Sequence, residues 1–139
     1  MKQTYLICLL IVLLLYCVYT DEREGKIKNL AVLAMLVIEI SHIIIYPFYF
    51  INFFKGLFLP LLILVIPFLF HGIGAGDIKL LMVIGGIAGS KRILTIIFSA
   101  FVIGVIRALI DKLRKRHNPK IHMALPIAIS TLMWIGGII

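Results

Sequence analysis

The sequence predicts an all-α fold, a polytopic membrane helical bundle of about six transmembrane helices, in a single domain over residues 1–139. Three observations predict it. Hydrophobic residues make up 63% of the chain and mean hydropathy is +1.16, whereas a soluble domain is about 45–50% apolar. Only 14% of residues are charged, and they cluster between apolar runs rather than along them. The connections between runs are short, which favours antiparallel neighbours.

Six apolar segments are expected, at residues 3–20, 29–50, 56–70, 77–89, 93–110 and 121–139. A full crossing needs about 20 helical residues at 1.5 Å each. The third and fourth segments are short for this, and Pro60 and Pro67 are expected to kink the third. The first run, after Lys2, is not followed by a small-x-small cleavage site, so it reads as a span rather than a signal peptide. Cys8 and Cys17 lie nine residues apart in it, on opposite helix faces, and so cannot pair within that helix. They read as apolar residues of the core or the lipid face.

The net charge is +8. Because the basic residues flank apolar runs, they read as topology signals and contacts to a lipid bilayer that includes anionic lipids, and nucleic acid is not expected as a partner. Loops after the first, third and fifth spans carry Arg23, Lys26, Lys28, Lys79, Arg107, Lys112, Arg114, Lys115, Arg116 and Lys120. The opposite side carries Lys2, Lys55, Lys91 and Arg92. This imbalance predicts a multi-pass protein of the cell (inner or plasma) membrane, with both termini outside the cytoplasm. Asp21 and Asp77 then share the cytoplasmic end. The basic run from Arg107 to Lys120 reads as an anchor at the headgroups, ended by Pro119.

The segment from His71 to Leu80, HGIGAGDIKL, carries the strongest local signal. Gly72, Gly74 and Gly76 alternate, at a cost of about 1 kcal/mol each relative to Ala in a helix. Glycine lets backbone approach backbone, and non-helical backbone at a membrane edge needs cover from protein or access to water. Asp77 either caps the fourth helix or serves a functional site. An aspartic peptidase needs two carboxylates sharing a water, one protonated and one ionised. Candidate partners on the same side are Asp21, Glu22, Glu24 and Asp111. Asp21 is nearest the end of its span, while Glu22, Glu24 and Asp111 read as residues of solvated basic loops. Spacing alone does not choose among them.

Gly74-Ala75-Gly76-Asp77-Ile78-Lys79-Leu80 resembles the GxGDxKL signature of the type IV prepilin peptidases, a family of membrane aspartic proteases. The segment from Asp21 to Asn29 is similar to that family's other motif, an Asp followed by Arg and then Ile-Pro-Asn. Asp21, Arg23, Ile27 and Asn29 match, and Lys28 stands where the family has Pro. Ala124-Leu125-Pro126 loosely resembles the opening of the family's final helix. The resemblance implies that Asp21 and Asp77 are catalytic, with Gly74, Gly76, Lys79, Arg23 and Asn29 in support. It implies cleavage of the leader from a prepilin or pseudopilin-like precursor at the cytoplasmic membrane face. No CxxC pair is present and Lys2 leads straight into the first span. The short form is therefore expected, without the methyltransferase-associated domain, and with neither cofactor nor metal.

Glu39 and His42, three apart inside the second span, share a helix face. They are expected to form a buried pair or to support the site from one layer away. His71 reads as a membrane-edge residue. Three other functions compete: a catalytically inactive assembly subunit of a pilus or secretion system, an intramembrane protease of the presenilin type, and a small proton-coupled transporter using Asp77 and Glu39.

Overall fold

The computed structural model describes residues 2–46, 50–70, 73–114 and 123–138. All regular structure among them is helical: α1 (Lys2–Glu24), α2 (Asn29–Ile45), α3 (Phe50–Leu69), α4 (Ala75–Leu113) and α5 (Ala124–Ile135). The expectations for His71, Pro119 and the basic residues Lys115, Arg116 and Lys120 lie outside the described residues.

The helices number five where six spans were expected. α4 takes in both the fourth and fifth expected segments, and its backbone leaves helical geometry at Gly89, with φ 77° and ψ 166°. Only glycine adopts that conformation without strain. The charged pair Lys91-Arg92 had suggested a connecting loop, but a single residue makes the break. The chain bends back there. Ile93 Cγ1 comes within 3.1 Å of where a Cβ on Gly85 would lie, although eight residues of straight helix span about 12 Å. α4 is thus two arms, residues 75–88 and 90–113. Among the described residues, α3 and α4 are the helices long and apolar enough to cross a membrane, and α2 and α5 are apolar but shorter.

Boundaries differ from expectation for local reasons. α1 continues past Thr20 to Glu24, so Asp21 is a helical residue rather than a loop residue. The helix stops at Gly25, whose φ of 63° is the left-handed conformation that ends helices, and whose N–H donates to the Asp21 carbonyl at 2.9 Å. α2 ends at Ile45, just ahead of Pro47, which disfavours helical backbone in the residue before it. α3 starts at Phe50, earlier than expected, because Asn52 and Lys55 fall within the helix. Pro60 and Pro67 both lie inside it.

The arms of α4 form the centre of the bundle. Leu80, Ile84, Ile93 and Ile96 are buried on it, against Leu14, Met35, Leu64 and Ile127 from the other helices. α3 packs on α4 with backbone against backbone. A Cβ on either Gly56 or Gly85 would strike the other's carbonyl oxygen. Helices in lipid associate through such close small-residue contacts, because lipid tails remove the usual hydrophobic drive. α5 packs on the second arm, where a Cβ on Gly104 would lie 3.0 Å from Met123 Sδ. At the other end of α5, Trp134 lies beneath Arg92, 6.0 Å from guanidinium to ring. The outward faces are apolar, with Leu30, Leu62, Phe98 and Leu113 all largely exposed. So much contiguous apolar surface marks a lipid or protein contact rather than a face turned to water.

Candidate active site

Asp21 lies in the last turns of α1, against the first residue of α5, and Asp77 lies in the first turn of α4. Asp21 is buried at 7% exposure, and Asp77 at 9%. Asp21 Oδ2 accepts a hydrogen bond from the Ala124 main-chain N–H at 3.3 Å. Asp77 Oδ2 accepts from the Gly74 N–H at 3.2 Å, while the Asp77 N–H donates to the Gly74 carbonyl at 3.1 Å. Gly74 is therefore the N-cap of α4, and Asp77, three residues in, is not the cap itself but accepts back from it. The cap occupies one carboxylate oxygen and is compatible with a second role for the other.

The two motif segments touch each other. Lys79 Nζ donates to Asn29 Oδ1 at 3.3 Å across 50 residues of chain. Ile27 lies over Gly76, where a Cβ would come within 3.2 Å of Ile27 Cβ. The stretch that follows Asp21 is therefore seated on the stretch that carries Asp77. Gly76 is needed because Ile27 occupies the space above it.

Other sequence candidates fall elsewhere. Arg23 leaves the site, its guanidinium 5.1 Å above the Tyr19 ring on the exposed face of α1. Lys28 pairs with Glu24 at 3.1 Å, and the hydrogen bond and charge of Glu24 raise the pKa of that exposed ammonium. Glu22, Glu24 and Asp111 are helical rather than loop residues, which corrects the loop expectation, while Glu22 and Glu24 are solvent-exposed as expected. Glu22 accepts from Arg107 Nη2 at 2.7 Å.

Glu39 and His42 are not joined. Glu39 is buried and, among the described residues, neither carboxylate oxygen has a hydrogen-bond partner, while the His42 ring lies 4.9 Å from that of Tyr46. Glu39 Oε2 is directed at Gly86, 2.5 Å from where a Cβ would stand. Gly86 is nine residues past Asp77, about 14 Å along a helix, so Glu39 touches neither aspartate. Among the described residues, no three His, Cys, Asp or Glu side chains gather that could hold a metal ion.

The chain matches the type IV leader peptidase family over residues 8–109, well over half of its length. It belongs to that family. No curated protein and no solved structure matches the chain. The matched span takes in both aspartates, Ile27, Asn29, Gly76, Lys79 and Arg107, and membership supports a leader-peptidase kind of function for this family member.

Sequence reasoning missed two parts of the site. The Ala124 N–H has no side-chain signature, and only Pro126, the third residue of α5, hinted at a helix start there. Arg107 was read with the basic run, and nothing in the linear sequence tied it to Glu22.

Proposed function

We propose that this family member is a membrane aspartic endopeptidase that removes the leader from prepilin-like precursors at the cytoplasmic membrane face, with Asp21 and Asp77 as the reacting pair. One observation carries the reading. The segment following Asp21 and the segment bearing Asp77 dock on each other through Asn29–Lys79 and Ile27–Gly76, at the end where both carboxylates are buried.

In this reading one carboxylate takes a proton from water, which attacks the scissile carbonyl. The other, protonated, donates to that carbonyl oxygen. The Ala124 and Gly74 N–H groups each hold one carboxylate oxygen in place, which limits rotation of the pair. The positive-inside count supports a cytoplasmic aspartate end, and the division of α4 into two arms beside four other helices supports a reading of six passes. The apolar outer faces support recognition of the precursor partly as a helix within the membrane, its leader junction at the water boundary near Asp77.

Asn is nearly isosteric with Asp but fills neither proton-transfer role. Asp21→Asn and Asp77→Asn should each insert normally and lose precursor processing by about a thousandfold or more, the combined worth of nucleophile activation and acid assistance. Processing is measured in membranes holding equal amounts of each variant. Substantial cleavage by Asp77→Asn would remove the catalytic assignment. A soluble leader peptide cut as well as the membrane-inserted precursor would remove the in-membrane recognition.

A further inference from the structure

Arg107 carries more donors than its ion pair uses. It sits on the second arm of α4, where Nη2 donates to Glu22 Oε1. Its Nη1 is buried and, among the described residues, has no hydrogen-bond partner. A guanidinium does not lose its charge in a protein, so this N–H group remains a strong donor with nothing to receive it. A buried unsatisfied donor is costly. The side chain could avoid that cost by turning to solvent, yet it is only 30% exposed.

Two contact routes link Arg107 to the segments that hold Asp21. The first is Glu22, its ion-pair partner, which follows Asp21 in the chain. The second runs through α5. Gly104 lies three residues before Arg107, on the same helix face. It packs against Met123 and Pro126, and Ala124, between those two, donates its N–H to Asp21. The contacts close a ring through Asp21, Glu22, Arg107, Gly104 and Ala124.

We propose that Arg107 is a substrate-binding residue whose Nη1 donates to an oxygen of the precursor chain, a carboxylate side chain or a main-chain carbonyl, close to the bond that is cut. The proposal rests on the leader-peptidase reading of the same site. Glu22 fixes the plane of the guanidinium from one edge, and Nη1 on the other edge keeps a donor unused among the described residues. The rigid fork of Arg suits this division, and the single mobile ammonium of Lys does not.

The test uses the full-length protein in lipid vesicles and a membrane-inserted precursor that it cleaves. Arg107→Met should raise KM about 10- to 100-fold, the loss of a charge-assisted hydrogen bond, with kcat nearly unchanged. Arg107→Lys, which keeps the charge and not the fork, should fall between, and it carries the test if Arg107→Met does not accumulate. Amidating the acidic residues of the precursor one at a time identifies the acceptor. The right one raises the wild-type KM and adds nothing to Arg107→Met. If no carboxylate couples while the Arg107→Met effect persists, the acceptor is a main-chain carbonyl, within the proposal. An unchanged KM, or a loss confined to kcat, overturns it. A KM effect that disappears in vesicles without anionic lipid gives Nη1 to a phosphate headgroup and also overturns it. A wild-type protein that cleaves no precursor removes the peptidase reading itself, an outcome distinct from a cleaving protein indifferent to Arg107.

Discussion

At the Gly89 end of the bundle, backbone meets backbone; at the aspartate end, side chains reach across to the main chains and side chains of other segments. Gly56 and Gly85 touch through their carbonyls, and Gly89 Cα lies 3.1 Å from where a Cβ on Gly56 would stand. Asp21 instead reaches Ala124, and Lys79 reaches Asn29, through bonds of 3.3 Å. Gly56 and Gly85 tolerate no added atom, because the obstructing atoms are backbone of the facing helix. The aspartate end is held by polar contacts that can open and close. Substitutions at the first should therefore act on stability and those at the second on activity.

The largest stability effect belongs to the glycine contact. A Cβ at Gly56 or Gly85 must displace a whole helix, and overpacking of this kind costs about 1–3 kcal/mol or more. Gly85→Ala should lower the thermal midpoint in detergent and reduce abundance, with the surviving protein retaining its kcat. A kcat loss at unchanged stability would break the division between the ends.

Glu39 belongs to the glycine end, and its effect should run the other way. Among the described residues its two buried oxygens have no hydrogen-bond partner, and an unsatisfied buried acceptor costs about 1–3 kcal/mol. Glu39→Met removes the polar atoms at similar size. It should raise stability by about that much and leave cleavage unchanged. Reduced stability would show that the carboxyl has a favourable partner, and lost cleavage would extend the functional site to this depth.

Gly76→Ala crosses between the two classes. Alanine gains up to about 1 kcal/mol of helix propensity, while its Cβ presses Ile27 at 3.2 Å. Stability should move by less than about 1 kcal/mol, because these two terms oppose. Cleavage should fall severalfold as the Asp21 segment shifts off the Asp77 segment. Unchanged cleavage would mean that seating Ile27 does not govern the pair.

The sequence made one class of feature legible. Alternating glycines before an acidic residue announced the Asp77 segment, and the distribution of Lys and Arg put Asp21 at the same end. What stayed hidden depended on main-chain groups or on rotamers. Gly25 ends α1 through its own dihedrals, and although Ser90, Lys91 and Arg92 marked a break after Gly89, nothing in the sequence showed that one residue's dihedrals would fold α4 back there. The i, i+3 spacing of Glu39 and His42 gave a shared face but not the direction of the carboxyl, which is turned to Gly86. Arg107 could not be separated from its basic neighbours because charge patterning carries no tertiary partner.

The smallest effect is expected at Lys28, the one position of the first motif where this chain departs from the family's Pro. Its backbone already has φ −71° and ψ 121° as the N-cap of α2, within the range that proline fixes. Its carbonyl accepts from the Ala31 N–H at 3.1 Å, a bond that proline keeps. Ile27, the preceding residue, is outside any helix, as the residue before a proline prefers. Lys28→Pro should thus add about 0.4–1 kcal/mol by restricting the unfolded chain. Against this stands the lost pair with Glu24, an exposed i, i+4 contact whose contribution solvent screens to little. The net change should lie between zero and a slight gain, read as a thermal midpoint at or just above that of the wild type. Cleavage should not change, because Ile27 keeps its place over Gly76. If the midpoint holds and cleavage falls, the ammonium of Lys28 itself serves the site, and the polar contacts at the aspartate end extend one residue further than the geometry assigns.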